Sequence, residues 1–265
     1  MISSRAYLLV FHGSRDTRTL AAASELKQLL LTKYKFKNIL TQQNYLETNL
    51  LNYESKLTDP VGLLETPLVD IAALELGSKS LSESLVDFGR QAHLKGIKQI
   101  NVIPLFLIPG IHVTQDIPTQ IEIALQQLDR SITIELSSFL GKYSGMLSLL
   151  SRKFGQLSGE ARILIAHGSR LSGVANYYQN LATKLDADLA YWSAAPKIAS
   201  IVEKQVDYGK KKIAILPYFL FPGRITSAIA SEVAQLRKQY PQVELNLGQP
   251  LAATEALAQL IAESV

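Results

Sequence analysis

The sequence predicts two doubly wound α/β domains with parallel sheets, related by internal duplication. Three observations carry this expectation. Two motifs recur in the same order: YLLVFHGSR at 7–15 returns as RILIAHGSR at 162–170, and VIPLFLIPG at 102–110 returns as ILPYFLFPG at 215–223. Short apolar runs alternate with longer amphipathic segments along the whole chain, the signature of βαβ units. The runs are continuously apolar rather than alternating, as in VIPLFLIP, which fits strands buried on both faces.

Taken in order, the first copy has β-branched or apolar runs at 6–11, 68–74, 99–107 and 131–136. Amphipathic segments follow them at 17–33, 80–95, 115–129 and 142–154. In the second copy the runs are 161–166, 187–192, 211–220 and 242–247, and the helical segments 173–185, 196–208, 225–239 and 252–263. Pro104 follows His12 by 92 positions, whereas Pro217 follows His167 by 50. An insertion or deletion explains the difference and is placed around residues 36–66, as an extra strand and helix or a lid. The expected domains are 1–138, carrying the functional site, and 139–265, a degenerate repeat.

Composition narrows the chemistry. The chain has 265 residues, no cysteine and four histidines. Disulfides, thiolate nucleophiles and Cys-ligated metals are excluded, so a transition metal must use imidazole, carboxylate or water. No run approaches the ~20 apolar residues of a membrane helix. The N-terminal MISSRAYLLVFHGS reads as a strand rather than a signal peptide, so a cytoplasmic protein away from membranes is expected. The net charge of +4 suits an anionic ligand. Without an arginine-rich run or aromatic–basic interleaving, no nucleic-acid partner is expected.

In open α/β sheets, ligands bind beyond the carboxyl ends of the strands. His12 follows the strand YLLVF in the turn HGSRD, and His112 follows VIPLFL in the turn IPGIHVTQD. Two imidazoles at one sheet edge suit a divalent metal or proton acceptance near neutral pH. The plainer alternative is a backbone-bonded histidine with Ser14 as helix N-cap. Glu75 ends the run LVDIAALEL at the same edge, where a carboxylate guides a cation or takes up a proton, or simply complements a helix dipole. Glu47 in NYLETN is the backup. The second copy keeps His167, but aligns Trp192 with Glu75 and Ile225 with His112, and so reads as scaffold or substrate-binding surface. Arg224 stands at its strand edge, suited to a substrate carboxylate or to an exposed helix start. His93 reads as a solvated or capping residue. A serine hydrolase using Ser14 or Ser169 is set aside, because G-x-S-x-G is absent.

HGSRD, a strand ending in LEL, and then VIPLFLIPGIHVTQDIP resemble the sirohydrochlorin chelatases. These are class II tetrapyrrole chelatases whose long members are duplicated, with a fold related to protoporphyrin ferrochelatase. The resemblance implies a lyase, either a sirohydrochlorin ferrochelatase or a cobaltochelatase of cobalamin synthesis. It would insert Fe²⁺ or Co²⁺ as a substrate, without nucleotide, as a monomer or homodimer. It carries the metal-site role onto His12 and His112 and the acidic role onto Glu75. Because sirohydrochlorin is a polycarboxylate, Arg15, Arg170 and Arg224 become candidate contacts, with the macrocycle lying between the domains. The competing class is a non-catalytic metal or tetrapyrrole carrier.

Overall fold

The computed structural model describes residues 5–50, 67–128, 130, 132–169 and 171–265, with side chains for all of these except 35–50 and 172. The first half runs β1 (Ala6–Phe11), α1 (Thr17–Leu50), β2 (Leu68–Ala73), α2 (Leu81–Leu94), β3 (Gln99–Pro104), α3 (Ile117–Leu125) and β4 (Thr133–Leu136). A 3₁₀ turn at Leu140–Lys142 and α4 (Met146–Gly155) lead into the second half. That half runs β5 (Ala161–Ala166), α5 (Ser172–Lys184), β6 (Asp188–Tyr191), α6 (Ile198–Asp207), β7 (Lys212–Pro217), α7 (Arg224–Gln239), β8 (Glu244–Leu247) and α8 (Glu255–Ser264). The strands form two four-stranded sheets ordered β2-β1-β3-β4 and β6-β5-β7-β8. Among the described residues all six strand pairings are parallel.

The face on which each side chain falls follows from strand alternation. In β1, Tyr7, Leu9 and Phe11 point into a core shared by both halves, and Ala6, Leu8 and Val10 into an outer core with α2 and α3. In the second sheet, Leu164 and Leu216 face the shared core, and Ile163, Ile165 and Ile215 face α6 and α7. Helices α1, α4, α5 and α8 supply the central layer, through Leu26, Phe154, Ala182 and Ile261 among others. The result is five layers, helix–sheet–helix–sheet–helix. Each fully buried Leu, Ile or Phe contributes about 1.5–3 kcal/mol relative to exposure, and the largest cluster spans both sheets. The packing therefore couples the two halves.

Several boundaries differ from the sequence expectation. The helix expected over 17–33 continues to Leu50, so the first part of the 36–66 segment extends α1 instead of starting a new strand. The 34 residues of α1 against 13 in α5 account for much of the unequal spacing between the copies. Residues 51–66 lie outside the described residues. The runs expected to 107 and 220 end as strands at Pro104 and Pro217. There Leu105 donates to the Val10 carbonyl and Tyr218 to the Ile165 carbonyl, each at 2.7 Å, and the chain then turns away.

Candidate metal centre

In each sheet the strand order reverses between the first and third strands, which opens a crevice at their carboxyl ends. His12 follows β1 at that switch point, His112 opens the segment beyond β3, and Glu75 follows β2. Gly13 brings two of these together. Its φ of +92° turns the chain sharply after His12, and a Cβ there would lie 1.8 Å from the Glu75 carbonyl oxygen. Only glycine admits so close an approach. It lets Leu74 N–H donate to the Phe11 carbonyl at 2.8 Å and Glu75 N–H to the His12 carbonyl at 3.0 Å. The β1–β2 ladder thus extends two residues and sets Glu75 beside His12.

His112 comes from a single turn of π-helix, His112–Asp116, before α3. Ile117 N–H donates to the His112 carbonyl, five residues back, and Pro118, which has no amide, follows within the first turn of α3. Wide turns of this kind cluster at functional sites. The His12 and His112 rings meet edge-on, with centroids 4.7 Å apart and planes at 86°. Phe106 packs beside both, at 6.4 and 6.0 Å.

Hydrogen bonds assign the ring tautomers. His12 Nδ1–H donates to the Gly13 carbonyl at 3.1 Å, and His112 Nδ1–H donates to Asp116 Oδ2 at 2.7 Å. Each leaves Nε2 with its lone pair free to ligate. One ligating atom from each of His12, Glu75 and His112 falls within 4.8 Å of the others. Two ligands at about 2.1 Å from one ion stand no more than about 4.2 Å apart, so small side-chain rotations close this set on a cation. Glu75 Oε1 is 4.0 Å from His112 Nδ1 and makes no hydrogen bond with it. Among the described residues the Glu75 carboxylate has no hydrogen-bond partner.

Asp116 is absent from the sequence expectation. It orients His112 as carboxylates orient metal-ligating imidazoles in general. Its signal in the sequence is H-x-x-x-D directly after a Pro-Gly turn, a spacing that puts both residues on one helical face.

His12 and His112 open onto a cleft of about 660 Å³ between the halves, and Glu75 stands beside them outside its lining. Phe11, Leu105 and Ile108 line it from the first half, and Tyr178, Phe219 and Phe221 from the second. His167 faces the same cleft. It repeats the geometry of His12, with Nδ1 3.1 Å from the Gly168 carbonyl and Gly168 at φ +92°. The backbone ladder corrects one alignment: Trp192 N–H donates to Ala166 and Ser193 N–H to His167, as Leu74 and Glu75 do in the first half. Ser193, not Trp192, is the counterpart of Glu75. The motifs alone left this ambiguous, because the two loops differ in length before the register locks. His112 and Ile225 each stand eight positions beyond the matching prolines. Near His167 the second half thus offers a hydroxyl and an alkyl group where the first offers a carboxylate and an imidazole.

Among the arginines, Arg224 opens α7 and lines the cleft. Arg15 is exposed in the turn before α1 and does not contribute to that lining; Arg170 lies outside the described residues. Glu47 is on α1, where side chains lie outside the described residues. His93 is exposed in the last turn of α2.

Two tyrosines of the second half, Tyr218 buried and Tyr177 half-buried, brace the cleft wall of the first. Tyr218 Oη lies 3.1 Å from the Leu107 carbonyl and 2.9 Å from Tyr177 Oη, and Tyr177 donates to the Gly141 carbonyl at 2.8 Å. Burial raises both phenols above the ordinary tyrosine range. They remain protonated at neutral pH and act as hydrogen-bonding struts.

Fold and site together define a duplicated parallel α/β protein with the class II chelatase fold, its acid–imidazole cluster in one half. The CbiX family model matches residues 55–157 and again residues 161–265, and the chain belongs to the CbiX family. The first match covers Glu75 and His112 and begins after His12; the second includes His167. The chain is 28% identical over 170 residues to a sirohydrochlorin cobaltochelatase of Priestia megaterium, covering 58% of this chain and 55% of that protein. It thus spans about half the length of that relative. It is 22% identical over 218 residues to a sirohydrochlorin ferrochelatase of the same organism, covering 76% and 78%. The sirohydrochlorin chelatase SirB from Bacillus subtilis subspecies spizizenii, solved in complex with cobalt, shares the fold. Its TM-score is 0.69 at 18% identity, over 99% of this chain and 94% of that one.

Proposed function

We propose that this protein inserts a divalent metal, Fe²⁺ foremost, into sirohydrochlorin without nucleotide. The observation that carries the reading is the convergence of His12, Glu75 and His112 within 4.8 Å at the mouth of an interdomain cleft. His12 and His112 present neutral Nε2 atoms to the ion, and Glu75 adds a carboxylate that compensates its charge. A metal entering the macrocycle sheds water and displaces two pyrrole protons; it forms bonds to four ring nitrogens without change of oxidation state. The imidazoles hold the partly dehydrated ion, and the Glu75 carboxylate serves as an acceptor for a released proton. Asp116 holds the His112 ring in place. The apolar cleft walls accept a flat ring, and Arg224 pairs with a peripheral carboxylate. On this reading residues 1–138 form the metal-handling domain, residues 139–265 complete the cleft, and the enzyme works in the cytoplasm. No helix among the described residues is long and apolar enough to cross a membrane.

The cobalt-inserting reaction uses the same atoms, since imidazole and carboxylate accept both ions. Purified protein is mixed with sirohydrochlorin and Fe²⁺ or Co²⁺ under anaerobic conditions, and the absorbance spectrum is followed. Conversion well above the spontaneous rate, with many turnovers per protein, supports the enzyme. Stoichiometric binding at the spontaneous rate would make the protein a carrier.

A further inference from the structure

A second polar cluster stands beside the cleft and takes no part in the metal centre. Arg18, in the first turn of α1, grips Asp16 through Nε to Oδ1 at 3.0 Å and Nη2 to Oδ2 at 2.6 Å. Its remaining arm, Nη1, crosses to the other half and donates to Ser227 Oγ of α7 at 3.0 Å. Arg224 begins the same helix, and its positive charge acts on Asp16. The starts of α1 and α7 face each other here, with Thr19 about 4 Å from where a Gly223 side chain would project. Thr19, Gly223 and Arg224 all line the cleft, and Asp16, Arg18 and Ser227 stand beside them at its edge, just outside that lining.

The arrangement is a bidentate guanidinium–carboxylate fork within the first half, tied to the second by one hydrogen bond, at the edge of a site read as binding a polycarboxylate. The carboxylate is supplied by the protein itself. We propose that Asp16 is an internal stand-in for a macrocycle carboxylate, and that Arg18 is a specificity-determining contact that exchanges Asp16 for the substrate at the cleft rim. This rests on the tetrapyrrole reading of the cleft. Its alternative is that Asp16 only caps α1, since it also accepts the Arg18 amide at 3.1 Å.

Asp16→Asn separates the two, because asparagine caps as well as aspartate while giving up the charge. The experiment titrates metal-free sirohydrochlorin into wild type, Asp16→Asn, Arg18→Gln and the double variant, following the macrocycle's fluorescence, with a thermal melt of each sample. Asp16→Asn should tighten binding by about threefold, the size of an exposed ion pair removed. Arg18→Gln should weaken it by about tenfold, as loss of a charge-assisted bidentate pair does. In the double variant the gain from Asp16→Asn should vanish, because it acts through Arg18. Unchanged or weaker binding by a folded Asp16→Asn protein, or the same gain without Arg18, overturns the inference and leaves a simple cap. Absence of binding by wild type overturns the reading of the cleft, and this inference with it.

Discussion

Gly13 gives the sharpest test of how the site is assembled, because its effect separates into backbone strain and a collision. Alanine at φ +92° carries the left-handed penalty of about 1–2 kcal/mol. Its Cβ would also lie 1.8 Å from the Glu75 carbonyl oxygen, so that backbone must retreat by more than about 1 Å. The Glu75–His12 hydrogen bond is then lost, at about 1 kcal/mol. Gly13→Ala should therefore destabilise the fold by about 2–3 kcal/mol, lowering Tm by about 4–12 °C for a chain of this size. Two other glycines provide the controls. Gly168 has the same φ of +92°, but its nearest neighbour is the Ser193 Oγ, a side-chain atom at 2.9 Å. Gly96 has φ +71° with nothing within 4 Å. Both alanine variants should show the strain alone, about 1–2 kcal/mol. Activity should separate them further, because a 1 Å misplacement of reacting groups costs on the order of 100-fold in rate. Chemical denaturation with metal-insertion kinetics on folded protein measures both effects. Equal destabilisation by Gly13→Ala and Gly168→Ala, or insertion by Gly13→Ala at the wild-type rate, would refute the argument.

Other outcomes follow from the same geometry. His12→Ala and His112→Ala should each remove most metal insertion while leaving the melt nearly unchanged, since neither ring is buried; near-normal turnover in either, at matched folded fraction, rejects the assignment. Asp116→Asn should lower metal affinity or activity by about 10–100-fold, the usual cost of losing an orienting carboxylate, checked by Co²⁺ titration of the free protein. His167→Ala should retain substantial turnover and raise KM more than it lowers kcat, because Ser193 and Ile225 provide no second strong ligand nearby; loss as complete as in His12→Ala would show that both halves share the metal. The Arg18 fork holds the Asp16 carboxyl down at about 2. The pair's contribution to stability is therefore present above the ordinary carboxylate range and lost as pH falls through about 2. An NMR titration should show that midpoint in wild type and a rise in Arg18→Gln, and an ordinary midpoint in wild type would exclude the pairing.

Much of the architecture is legible in local chemistry. Each strand of the shared core carries enough apolar residues to declare itself, and the doubled HGSR and P-x-F-L-x-P-G motifs mark equivalent strand ends in both halves. His12 and His112 are readable because both follow such strands, and open sheets place ligands there. The segment after residue 33 is less readable, because polar helical sequence and loop sequence share a composition, and α1 continues through it.

The sequence by itself determined the duplication, the parallel α/β class, the exclusion of thiolate chemistry and the residue types available to hold a metal. Those follow from periodicity, repetition and composition, which act locally along the chain. Tertiary structure decided which atoms meet. Asp116 meets His112 across a π turn, which the H-x-x-x-D spacing permits but does not by itself declare. Ser193 rather than Trp192 answers Glu75 because the ladder between neighbouring strands locks the register. Arg18 reaches Ser227, 209 residues away, because a common core seats the two halves together. Register, turn geometry and the docking of one half on the other are settled by packing and hydrogen bonding between distant segments. A linear pattern carries no record of those distances.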